Sequence, residues 1–151
     1  MDESAITDYI TSTFPDVATT AAMGYTFFFV GEDRMMPFAT LAADDNEHDA
    51  VSNLARPSVY RLNVGVSRET YRALFGPQPK AAGPQGDDYV AYDFTALDQV
   101  MPHPTYAPQS WVCVLSPGDR TLDQVRSLLA EAYELAAKRK SRRSEAPPGD
   151  S

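Results

Sequence analysis

The sequence predicts a single α+β domain, an antiparallel sheet of about four to five strands packed by an N-terminal helix, a middle helix and a long C-terminal helix. Three observations lead there. The stretch Arg56 to Gly76, RPSVYRLNVGVSRETYRALFG, alternates like a strand and then changes to helical spacing. The run GYTFFFVGEDRMMPFATLAA holds two β-rich segments around Gly31-Glu32-Asp33 and reads as a hairpin. Leu122, Val125, Leu128, Leu129, Ala132 and Leu135 or Ala136 keep the helical period, giving a last helix to about Lys138. At 151 residues the chain is the size of one domain, and such a chain buries roughly 70% of the surface it exposes when unfolded. Residues 1–139 are expected to form that domain and 140–151 a disordered tail.

In chain order, Ile6, Tyr9, Ile10 and Phe14 make an amphipathic first helix that Pro15 stops. A Thr/Ala-rich connector leads to the hairpin, whose second run begins at Pro37 or lies at an edge. Ala43 to Arg56 is a polar, acidic loop. In the next unit Tyr60, Leu62, Val64 and Val66 share one face of a strand, and Val59, Arg61 and Asn63 share the other. Ser67 then caps a helix with Tyr71, Leu74 and Phe75 inward, and Gly76-Pro77 ends it. Pro77 to Asp88 is a flexible surface insertion. Asp93 is placed to cap a short helix through Met101, stopped by Pro102. Trp111 to about Leu115 is the last strand, Pro117-Gly118 a turn, and Thr121 with Gln124 a capping box.

Charge narrows the partners. The net charge is −8, and five of the thirteen basic residues fall in Lys138 to Arg143. The body before that run is therefore strongly acidic, which repels phosphate backbones and argues against nucleic acid. The basic run itself suits the negative end of a helix. No apolar stretch approaches the roughly 20 residues that span a bilayer, and Asp2 and Glu3 stand where a signal peptide carries basic residues. A cytoplasmic protein, monomer or homodimer, is the expectation. The single Cys113 lies in WVCVL and reads as a buried thiol.

No glycine-rich phosphate loop, GxSxG, HExxH or CxxC pattern occurs, and two histidines cannot make a three-imidazole site in one subunit. What remains is a pocket on the polar sheet face. Arg61 and Asn63 point the same way and can together hold a carboxylate, carbonyl or phosphate-like group. Thr40 from the neighbouring run, His103 between two prolines, and Trp111 are placed to join them. His103 would be the acid or base, and Phe38, Tyr60, Tyr106 and Trp111 the apolar walls. Equally, Arg61 and Asn63 can lie on a solvated sheet face, and His103 can be a turn residue. His48 and Asp49, near Asp44, Asp45 and Glu47, are the weak candidates for a metal, in a spacing that fits no specific metal pattern; otherwise no metal or cofactor is expected.

The runs PFATL, RPSVYRLNVGVSRETYRALFG, DFTALDQVMPHPTYAPQSWVCVLSP and the final helix resemble an uncharacterised actinobacterial family, DUF6194. More distantly, the order of elements resembles the MmcQ/YjbR-like α+β fold. The family pattern is met at Phe38, Thr40, Asp49, Ser52, Arg56, Pro57, Arg61, Asn63, Gly65, Phe75, Gly76, His103, Pro104, Tyr106 and Trp111. Tyr25 and Ala55 depart from it, standing where relatives more often carry an acidic residue. The resemblance implies no assigned activity. MmcQ-like proteins are associated with antibiotic gene clusters and have been suggested as DNA binders by fold, a reading the acidic body opposes. The expectation is a protein that binds a small organic ligand, as a cofactor-independent acid/base enzyme of specialised metabolism (cyclase, isomerase or hydrolase type). The alternatives are a non-catalytic protein that sequesters a metabolite or toxin, and an interaction module acting through the basic tail.

Overall fold

The computed structural model describes residues 2–31, 36–44, 52–79 and 92–145, with side chains described to residue 141. Its elements run α1 (Glu3–Thr13), β1 (Val17–Ala22), β2 (Tyr25–Val30), β3 (Ala39–Ala42), β4 (Arg61–Gly65), α2 (Arg68–Phe75), β5 (Val100–Pro102), β6 (Trp111–Leu115) and α3 (Leu122–Glu145). Among the described residues the strands form one six-stranded sheet in the order β1-β2-β3-β4-β6-β5, every neighbouring pair antiparallel. This is the α+β sheet domain with three helices that the sequence predicts, with more strands. No helix among the described residues is long and apolar enough to cross a membrane.

Two strands lie where the sequence reads as something else. Val17–Ala22, expected as a connector, is β1, and the left-handed pair Met23 and Gly24 (φ 53° and 81°) turns it into β2. The expected helix from Asp93 to Met101 is absent. There the Asp93 side chain accepts from the Thr95 amide and hydroxyl, closing a local turn, and Val100–Pro102 goes on as edge strand β5. In the middle unit Ser67 caps α2 by accepting from the Thr70 amide, and Gly76 (φ 86°) ends it; Tyr71 is buried but Leu74 faces solvent. Helix α3 continues past Lys138 to Glu145, into the stretch expected to be disordered.

Register gives the sheet two distinct faces. On one, Phe28, Ala39, Leu41, Leu62, Val64, Val112 and Val114 are buried in one core with Ile6 and Ile10 of α1 and Val125, Leu129, Ala132 and Ala136 of α3. Phe14 stacks on Tyr133 at 4.9 Å between ring centres, joining the two helices. On the other face one row crosses all six strands: Thr20, Phe27, Thr40, Asn63, Cys113 and Met101. The next row holds Tyr25, Ala42, Arg61 and Leu115. This face is closed over β4, β6 and β5, where Arg61, Asn63, Cys113, Leu115 and Met101 are all buried, and opens toward β1, where Thr20 is exposed.

Candidate functional site

Strand β4 sets the geometry, because its period of two sends Arg61 and Asn63 to one face and Leu62 and Val64 to the other. Arg61 Nε donates to Asn63 Oδ1 at 2.8 Å, and its Nη1 donates to Ser52 Oγ at 3.1 Å. Asn63 Nδ2 donates to Thr40 Oγ1, its cross-strand neighbour, at 2.9 Å. Arg61, Asn63 and Ser52 are each 1% exposed. Thr40, Arg61 and Asn63 are thus brought together, with Ser52 as a fourth member. The guanidinium and amide are turned toward each other and toward side chains of the sheet and of the loop before β4. Among the described residues no buried side-chain nitrogen or oxygen is left without a hydrogen bond.

The proline turn forms a second cluster. His103 is buried, and its Nδ1 accepts from the Thr105 and Tyr106 amides, each at 2.9 Å. An imidazole whose Nδ1 accepts carries its neutral-form proton on Nε2. Its Nδ1 lone pair is committed to the chain, so that atom is not poised as a general base. Tyr106, largely exposed, lies 5.0 Å from the imidazole, and Trp111 meets its edge at 6.5 Å. Trp111 covers Gly65 so closely that a Cβ there would lie 2.8 Å from the indole. Since Gly65 pairs with Trp111 and Asn63 with Cys113, the indole sits two residues along β4 from the Arg61 network. Phe38 is a correction: its ring packs against Phe14, Phe28 and Tyr133 on the helix side, and so walls no site beside Asn63. His48 and Asp49 lie outside the described residues, and among those described no group of three His, Cys, Asp or Glu could hold a metal.

Among the described residues an open concave surface lies apart from these two clusters. A groove of about 660 Å³ runs between the first turn of α1 and the loop before β4. Asp2, Glu3, Ser4 and Thr7 form one side; Leu54, Ala55, Arg56, Ser58, Val59 and Tyr60 the other, with Ala43 and Asp44 at the end of β3. Thr40, Arg61, Asn63, His103, Tyr106 and Trp111 do not line it. Arg56 turns its guanidinium to backbone carbonyls, with Nε on Asn53 and Nη2 on Ser52 and Thr95, so it fixes the loop as a wall. Burial, reinforced by the carboxylates of Asp2 and Glu3, pushes the Tyr60 phenol well above its ordinary range, so it stays protonated at neutral pH. Asp2, Glu3, Asp44 and Arg56 leave the groove with an excess of negative charge. No local motif announces this surface, because its two sides lie more than forty residues apart and meet only when α1 docks on the sheet.

Together these features define an antiparallel-sheet α+β domain with a locked polar network inside the sheet and an acidic groove at its rim. The chain belongs to the family of unknown function DUF6194, whose model matches residues 1–145. Its structure is similar to the crystal structure of a protein from Pseudomonas syringae determined by a structural genomics consortium. The TM-score is 0.56 at 16% identity, covering 90% of this chain and 99% of that one, a likeness of fold alone. No curated protein matches the chain.

Proposed function

We propose that this protein binds a small organic ligand without turning it over, and that the ligand occupies the groove between α1 and the Ser52–Tyr60 loop. The observation that carries this reading is the groove itself: its volume, about 660 Å³, falls within the roughly 300–1,000 Å³ of small-molecule sites. Three carboxylates, a phenol kept protonated and the hydroxyls of Ser4, Thr7 and Ser58 favour a ligand with a positively charged, hydrogen-bond-donating group such as a primary amine. The Arg61 network lies behind this surface as its support, since Ser52 bonds Arg61 through its hydroxyl and accepts at its carbonyl from Arg56 of the wall. Binding without chemistry is favoured over acid/base catalysis because the His103 Nδ1 lone pair is held by two amides.

The test is a titration of the full chain with matched primary amines and carboxylic acids, followed by calorimetry, with native mass spectrometry for a ligand carried through purification. Amines should bind, and Glu3→Gln with Asp44→Asn should weaken them severalfold while the melting temperature holds. Retention in a fixed molar ratio with the ligand unchanged supports sequestration. Binding confined to acids, or unaffected by the double substitution, overturns the groove assignment; chemical conversion of the ligand overturns the absence of turnover.

A further inference from the structure

We propose that a second copy of this chain pairs with the exposed edge of β1, making a two-fold dimer through a sheet continuous across both subunits. The two edges of the sheet differ sharply. Strand β5 is three residues long, ends on Pro102 and keeps Met101 and Pro102 buried. Strand β1 is six residues long, pairs with β2 without interruption from Val17↔Val30 to Ala22↔Tyr25, and is exposed from Thr19 through Ala22. Edges of that length are normally blunted by a lysine, a proline or a bulge. Between Val17 and Met23 the chain has none of these and no charge of either sign. Met23, at the hairpin tip, is 85% exposed.

The two-residue turn fixes which backbone groups face outward. A turn at Met23-Gly24 closes on the pair Ala22 and Tyr25, so Ala18, Thr20 and Ala22 direct their amide groups to β2. The Gly31 amide donating to the Asp16 carbonyl fits the same alternation. Val17, Thr19 and Ala21 therefore turn their N–H and C=O groups away from the sheet. A second β1 laid antiparallel, with Thr19 opposite its own copy and Val17 opposite Ala21, meets outward groups with outward groups. Small, neutral side chains face each other throughout. The contact is isologous, so it closes at two subunits and builds no fibre. The charge distribution favours the same partner, because copies of net charge −8 repel across most of their surface and can approach through an uncharged edge that holds the bodies apart.

Sedimentation equilibrium of the full chain over a concentration series tests this. The wild type should rise with concentration from 16.6 kDa toward twice that mass. Thr19→Pro removes an outward N–H and leaves the β1–β2 bonds in place, and Ala21→Lys sets a charged side chain that blunts edge pairing opposite the partner copy's apolar position 17 at each end of the contact. Each should raise the dissociation constant about tenfold or more with circular dichroism unchanged. If Thr19→Pro fails to fold, Ala21→Lys still decides. A wild type that stays at the monomer mass throughout, or an Ala21→Lys variant that dimerises as the wild type does, overturns the proposal.

Discussion

At β4 the two faces of the sheet are equally dry and are held by different physics. Leu62 and Asn63 are neighbours on β4, at 0% and 1% exposure. Leu62 belongs to the apolar core shared with α1 and α3, where stabilisation scales with area removed from water and tolerates modest changes of shape. Asn63 sits in a directional chain, Ser52 to Arg61 to Asn63 to Thr40, where each bond offsets the desolvation of the next group. Breaking one link strands its partner. A face of the second kind specifies one arrangement of β3, β4 and the Ser52 loop, and so fixes the wall of the groove.

The largest expected effect tests that difference directly. Arg61→Ala should cost about 3–5 kcal/mol, because it opens a cavity and also strands the Asn63 carbonyl and the Ser52 hydroxyl in a closed interior. Leu62→Ala should cost about 2–5 kcal/mol by cavity alone. The decisive measurement is rescue. In urea denaturation, Asn63→Leu added to Arg61→Met should recover stability relative to Asn63→Leu alone, since both partners of the bond are gone. No apolar change at a neighbour should recover Leu62→Ala in that way. If Arg61→Met and Asn63→Leu simply add, the network is not coupled.

Gly65→Ala comes next, at about 1–3 kcal/mol. The added methyl would meet the Trp111 indole at 2.8 Å, so the ring must shift. As Trp111 is the single tryptophan, its emission reports the shift without interference. An unchanged spectrum would mean that the indole does not cover β4.

His103 separates a positioning role from a chemical one. His103→Ala should lower stability by about 1–2 kcal/mol through loss of an acceptor for the Thr105 and Tyr106 amides. His103→Asn, whose side-chain oxygen can accept at the same turn, should recover much of it. Should the asparagine variant behave like alanine, the imidazole does more than hold the turn.

How much of this could be read from the sequence follows the same division. The strand β4 and the pairing of Arg61 with Asn63 on one face were legible because alternation is imposed by backbone geometry, and the Ser67 cap and Gly76 stop because they are local bonds. Strand β1 was hidden: with Thr19 to Ala22 exposed on both faces, burial leaves no alternating pattern, and only pairing with β2 makes it a strand. Strand β5 was hidden for the opposite reason. Phe94, Leu97 and Val100 do recur at helical spacing, but Leu97 bridges Leu115 instead and Asp98 is drawn to another element. Phe38 shares sequence parity with Thr40, yet it precedes the regular part of β3, and parity carries no facing information outside a strand. The groove needs contacts distant in sequence and leaves no local trace.

Asp98 gives the smallest expected effect, and one with a pH signature. The capping box expected at Thr121 is turned to a different use: the Thr121 hydroxyl donates to Asp98 Oδ1 at 2.6 Å. The amides of Gly118, Arg120 and Thr121 donate to the same carboxylate, so a loop residue holds from outside the turn that leads into α3. Burial pushes the carboxyl up, but the bonds from Thr121, Gly118 and Arg120 outweigh it and hold it below the usual carboxylate range. A depressed folded value means the charged form is the one stabilised. The contribution is present above the unfolded carboxyl value, near 3.9, and is lost as pH falls through the folded one. Asp98→Ala should therefore cost about 1–2 kcal/mol at neutral pH, the scale of a lost helix cap. The gap between variant and wild type should close in strongly acid solution. Asp98→Asn, which keeps an acceptor and gives up the charge, should fall between them at pH 7 and show a weaker acid dependence in thermal melts. A gap that persists undiminished at low pH would mean that Asp98 acts there through shape alone, and that the junction of β5 with α3 is held by packing like that on the helix face.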